Sequence, residues 1–228
     1  MKTESNLKFI AVYLAVILVF FSIEIKAQET VDKTVATVSD GVRTELITYS
    51  DLLWQLAMQP GAPLNPPSSD DLNLALQLII NQRLFSLEAQ RLPSGNVDSA
   101  DVKKKIADVL ALFPSTAEFE KRLRQVGFES VKDDNFERMM EQRVRIEKYI
   151  DFRFRSFVVI TAEDEDKYYR DVFVPDFRRR RPGVLVPTLD EKRAEINNIL
   201  TEQKVVTEIE KFLDEAKRRA EIVVLNEV

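Results

Sequence analysis

Apolar positions recur at helical spacing along most of this chain, most densely in Leu72–Leu92, LNLALQLIINQRLFSLEAQRL. At about 100° per residue, Leu72, Leu76, Ile79, Ile80, Leu84 and Leu87 share one stripe. Leu74, Leu78, Phe85, Ala89 and Leu92 share a second. A surface helix has one apolar stripe, so two stripes predict a helix packed between neighbours. Ser68, Ser69, Asp70 and Asp71 offer caps and negative charge at its start.

The flanking pattern supplies those neighbours. Val35, Ala36 and Val38 lead into Asp40-Gly41, and Val42, Leu46 and Ile47 resume beyond it, which predicts a β-hairpin. Tyr49-Ser50-Asp51 can cap a short helix over Leu52–Gln59, and the Pro-rich run 59–68 stops it. Further helices are predicted over Asp101–Phe113 with Ser99 as cap, and over Thr116–Val126 with Ser115 and Glu118 as a capping box. Ser130 can cap another, reaching about Phe154. Thr161 heads a helix over Ala162–Asp171, and Leu189–Ala220 runs without Gly or Pro after a Thr188/Glu191 box. Val172–Pro187 holds Pro175, Pro182, Gly183, Pro187 and Arg178–Arg181, and reads as an exposed loop. The tail Glu221–Asn226 is β-leaning. Its natural partner is the N-terminal hairpin, since two strands alone are marginal. The fold class expected is therefore mainly α, with a small sheet closed by the C-terminal strand.

Composition narrows the chemistry. The chain of 228 residues has no Cys and no His. Disulfides, a lipidated N-terminal cysteine, His-based triads, His–metal sites and the commonest neutral-pH base are thereby excluded. Its net charge of −5 argues against general nucleic-acid binding. Phe9–Ile23 is an apolar run after Lys2 and Lys8, with Ala27 close behind, and reads as a cleaved signal peptide over residues 1–27. An uncleaved inner-membrane anchor is the alternative. The acidic pairs Asp70-Asp71 and Asp133-Asp134 and the run Glu163–Asp166 sit at helix starts, where carboxylates suit the dipole better than a metal role.

Four motifs carry a resemblance. Val31–Val42 (VDKTVATVSDGV), Ile47–Leu52 (ITYSDL), Leu78–Ala89 (LIINQRLFSLEA) and Ile160–Tyr169 (ITAEDEDKYY) occur in the order seen in the SurA-like N-terminal domain family of periplasmic chaperones, which this chain resembles. The returning C-terminal helix and strand resemble the same domain. The resemblance implies a helical domain over 31–170, completed by 188–228, with 171–187 standing where the family carries a parvulin isomerase domain. The eighteen residues Arg170–Pro187 that separate the Tyr-Tyr segment from the C-terminal helix cannot hold that domain, and its active-site histidines have no counterpart here, so isomerase activity is not implied.

What the resemblance does imply is a holdase: no enzyme activity, no cofactor, no metal and no small-molecule substrate. Its partners would be unfolded polypeptides, outer-membrane proteins foremost, held in an apolar groove. Flexible or broad apolar side chains suit such a surface. The candidates are Trp54, Met58, Met139, Met140, Phe154, Phe157, Tyr168, Tyr169 and Phe173. Helical spacing also allows many of these to be core. Arg178, Arg179, Arg180 and Arg181 could make a weak anionic contact or simply be a solvated loop. A dedicated assembly or structural partner is the second functional reading.

Overall fold

The computed structural model describes residues 32–91 and 97–226. The expected signal segment 1–27 and the turn expected at 92–96 lie outside them. The chain opens with strand β1 (Thr34–Ser39) and β2 (Thr44–Thr48), joined at Asp40-Gly41, where Gly41 takes a φ of 84° that other residues rarely adopt. Asp40 Oδ1 accepts from the backbone N–H groups of Val42 and Arg43, closing the turn. Helix α1 (Tyr49–Ala57) follows directly, capped by Thr48 in a capping box with Asp51. Helix α2 (Ser69–Ala89) comes next, capped by Ser68.

Three helices form the next layer. They are α3 (Ser99–Leu110, capped by Asp98), α4 (Thr116–Gln125, capped by Ser115) and α5 (Asp134–Arg153, capped by Asp133). Three caps thus differ from the sequence reading, the first being Thr48, which caps α1 one residue ahead of the expected Tyr49-Ser50-Asp51. Asp98 and Asp133 do the work expected of Ser99 and Ser130, and Ser130 only receives the N–H of Lys132. A 3₁₀ turn (Arg155–Phe157) leads to α6 (Ala162–Tyr168), a π-helical stretch (Tyr169–Phe173) and α7 (Val174–Arg180). Helix α8 (Leu189–Arg219) then returns the chain to strand β3 (Glu221–Val224).

The stretch expected to be a loop is therefore helical as far as Arg180. Pro175 does not break it, because it falls in the first turn of α7, where a missing N–H is tolerated. The aromatic spacing completes the reason. Tyr169, Phe173 and Phe177 stack along one helical face, with ring centroids 5.6 and 5.8 Å apart.

The sheet is antiparallel in the order β2-β1-β3, with Val38 opposite both Glu45 and Ile222. The tail strand lies on the opening strand, as the pattern predicts. Asn226 Nδ2 adds a bond to Thr34 O at 2.9 Å. Salt bridges tie the same region together. Arg91 pairs with Asp40 at 2.8 Å and with Glu88 at 3.2 Å, and Arg219 approaches Glu88 at 3.7 Å.

Helix α2 is the common member of two cores. Leu72, Ala75, Leu76, Ile79, Ile80, Leu84 and Leu87 pack with Val35, Val38, Ile47, Leu52, Leu56 and Ala216. Phe85 and Ala89 pack with Ile146, Tyr149, Phe154 and Val205 instead. The second stripe is thus covered only in its C-terminal half, and Leu74 stands 56% exposed. A third core joins α3, α4 and α5 through Ile106, Val109, Phe119, Leu123, Phe136 and Met140.

Acid should weaken this fold over a defined range. The backbone N–H groups of Arg43 and Val42, aided by Arg91, hold the Asp40 carboxyl down to about 2. The N–H of Thr161 and the Lys204 ammonium do the same for Asp164, also about 2. Unfolding returns both carboxyls to the ordinary value near ~4. Between these values the unfolded chain binds more protons. The stabilisation is therefore complete above pH ~4 and is lost as pH falls toward ~2. Urea midpoints measured from pH ~5 down to ~2 should drop across that window. Asp164→Asn should show a shallower slope than the parent chain.

Candidate functional site

Helices α1, α2 and α5 enclose a groove of about 270 Å³. Asp51, Trp54 and Gln55 enter it from α1, and Ile79, Gln82 and Arg83 from α2. Helix α5 supplies Asn135, Arg138, Met139, Gln142, Arg143 and Ile146 at helical spacing. The lining combines the apolar side chains of Trp54, Ile79, Met139 and Ile146 with amides and guanidiniums.

The polar groups hold one another. Gln55 Oε1 accepts from Arg143 Nη2 at 2.6 Å and from Gln82 Nε2 at 3.3 Å. Arg83 Nη2 pairs with Asp51 Oδ2 at 3.2 Å, and its Nη1 reaches Gln142 Oε1 at 3.5 Å. Asp51 Oδ2 also accepts from the N–H of Thr48 at 2.9 Å, so this carboxylate serves the helix start as well. Arg138 donates to Asn135 Oδ1. Satisfaction is incomplete, because Arg83 Nε and Arg143 Nε are buried without an acceptor. Burial pulls the Arg143 guanidinium down to about 10, and it remains charged at neutral pH. The Trp54 Nε1–H is anchored to Val126 O at 2.9 Å, and its ring lies 5.0 Å from that of Phe128.

Of the residues singled out from the sequence, Trp54 and Met139 line this groove. Met58, Met140 and Phe154 do not. They are buried in the cores, because a neighbour one position along a helix points about 100° away. Phe157 lies elsewhere, 70% exposed, with its ring 6.3 Å from that of the exposed Phe152. Tyr168 is half-buried at the end of α6. Tyr169 and Phe173 belong to the aromatic stack, and the Tyr169 O–H donates to Pro187 O at 2.8 Å, fixing the turn before α8. In the arginine run, Arg179 and Arg180 both pair with Asp176, and Arg181 sits over the Phe177 ring at 5.7 Å. That leaves the run less free for an outside anion than a solvated loop would be.

Sequence reasoning missed Arg83, Arg138, Arg143 and the three glutamines. The groove also differs from the purely apolar one that the resemblance implies, since guanidiniums and amides make up much of its lining. Among the described residues no group of His, Cys, Asp or Glu is arranged to hold a metal ion, and no helix is long and apolar enough to cross a membrane. No family model and no curated protein matches the chain.

Proposed function

We propose that this protein is a holdase-type chaperone, exported to the periplasm, that binds unfolded polypeptides without isomerase or other chemistry. Outer-membrane proteins are the clients foremost in this reading. The observation that carries it is the composition of the α1–α2–α5 groove. Trp54 and Met139 offer broad and adaptable apolar contact, backed by the buried Ile79 and Ile146. Gln55, Gln82, Gln142 and Asn135 are partly engaged with one another and with the arginines, and the donor and acceptor capacity left on each amide can meet the main chain of an extended segment. Such a lining recognises backbone and bulk rather than one sequence. The groove's single carboxylate is engaged by Arg83 and Thr48, so it makes a poor general base. The exposed Phe152, Phe157 and Val159 add a second apolar surface for a long client.

The test is suppression of aggregation with several unrelated unfolded proteins, followed by light scattering. Scattering should fall for all of them as this protein is added. Proline isomerisation in a short peptide should keep its uncatalysed rate. Protection of one client alone would favour a dedicated partner instead, and protection of none would end the holdase reading.

A further inference from the structure

The groove carries charge that it does not balance. Arg143 stands in its wall with a neutral amide, Gln55, as hydrogen-bond partner, and its Nε has no acceptor. Among the described residues no carboxylate forms an ion pair with it. The carboxylate that acts on it, Glu147, is itself held by Lys105. Arg83 differs in that its Nη2 pairs with Asp51 at 3.2 Å, but its Nε also has no acceptor and its Nη1 lies a long 3.5 Å from Gln142. Arg138 turns to a neutral amide. Three guanidiniums therefore face one carboxylate, Asp51, which leaves two positive charges in the cleft. A desolvated cation without a counter-ion is costly to keep, and it gains strongly when an anion arrives.

We propose that the groove contains a subsite for a carboxylate carried by the bound polypeptide, with Arg143 as its main partner and Arg83 beside it. This rests on the polypeptide-binding reading and adds the chemistry of what is bound. The carboxylate has two sources in a polypeptide, the C-terminus and an Asp or Glu side chain. Either presents a planar pair of oxygens that a guanidinium meets with parallel N–H donors. The apolar lining then takes the neighbouring side chains. Trp54 reports on the event directly, because it is the one tryptophan of the chain and lines the groove.

The experiment titrates the whole protein with a short Trp-free peptide while Trp54 emission is followed. Three forms of the peptide are compared: a free C-terminal acid, a C-terminal amide, and the amide with one internal Gln replaced by Glu. At least one charged form should bind roughly 10–100-fold tighter than the neutral amide. The form that gains identifies the source of the carboxylate. The preference should shrink as salt is raised, a readout in the parent chain that needs no variant. Arg143→Met should abolish the preference, and Arg143→Lys should restore only part of it. Arg143→Met should unfold at the same or a higher temperature, since it removes an uncompensated charge, so a lost site is told apart from a lost fold. Equal binding of all three forms, or an undiminished preference in Arg143→Met, would overturn the subsite and leave polypeptide binding standing. Tighter binding of inorganic phosphate than of any peptide would also overturn it. If no form binds at all, the holdase reading falls with it.

Discussion

Phe136→Ala is expected to lower the unfolding free energy by about 3–5 kcal/mol, a large share of what a domain of this size has. Phe136 is fully buried in the first turn of α5. Its ring meets Phe119 of α4 edge-on at 5.9 Å and Phe128 at 5.6 Å. Phe119 in turn meets Phe113 at 4.7 Å, so the ring joins the ends of three helices. The site cannot easily collapse after truncation. Phe128 is held by its N–H bond to Leu123 O at 3.0 Å, after the Gly127 turn with its φ of 98°. The start of α5 is held by Asp133, which accepts from the N–H groups of Asn135 and Phe136. A cavity therefore remains, and its cost adds to the lost transfer energy. Urea unfolding checks this, with an unchanged slope and a lower midpoint. Trp54 emission should also shift, because Trp54 packs on Phe128. A loss under about 1 kcal/mol would mean that the cluster closes around the gap.

Much of this fold could be read from periodicity and turn chemistry. The Asp40-Gly41 hairpin, the Thr161 and Thr188 caps and the tail strand all follow from local rules that tertiary packing did not override. The departures have specific causes. Two apolar stripes on α2 implied neighbours along its whole length. The second neighbour arrives only at Phe85, which stacks on Phe212 of α8 at 5.1 Å, so Leu74 and Leu78 stay exposed. The Pro- and Arg-rich stretch reads as a loop because its prolines break the helical pattern. The spacing of four between Tyr169, Phe173 and Phe177 was the contrary signal, and it prevailed because stacked rings and a proline in the first turn cost the helix little.

The site was legible only in its apolar half. Met139 and Met140 are sequence neighbours, yet one lines the groove and the other is fully buried, a difference fixed by rotation about the helix axis. The arginines were hidden because a polar stripe on α5 looks like an ordinary wet face. Asn135, Arg138, Gln142 and Arg143 become a site only when α1 and α2 cover them. One local sign was available. Asn81, Gln82 and Arg83 interrupt an otherwise apolar run on the most buried helix, and polar groups there need a partner or a purpose.

Arg122→Met is expected to cost about 2–4 kcal/mol and to weaken the groove as well. The Arg122 guanidinium reaches from α4 to the end of α1, where Nε donates to Ala57 O at 3.0 Å. Its Nη2 shares two N–H groups among three carbonyls, Leu56 O at 3.0 Å, Gln59 O at 3.1 Å and Ala62 O at 2.8 Å. Carbonyls at a helix C-terminus lack intrahelical donors and carry the negative end of the dipole. A fork of N–H groups answers both needs, which a lysine cannot do with one ammonium. Burial pulls the Arg122 pKa below its ordinary value, so holding the charge there has a cost, and methionine removes it. The same change removes the guanidinium from four carbonyls in a half-buried place, although Leu56 O and Gln59 O keep the backbone N–H groups of Gln59 and Ala62. With charged hydrogen bonds contributing about 1.5–3 kcal/mol each and not adding fully, the loss outweighs the relief. Helix α1 carries Trp54 and Gln55 into the groove, so loosening its end should raise peptide dissociation constants alongside the lower urea midpoint. Arg122→Lys should recover little of either. Parent-like stability in Arg122→Met would show that water replaces the guanidinium at these carbonyls at no net loss.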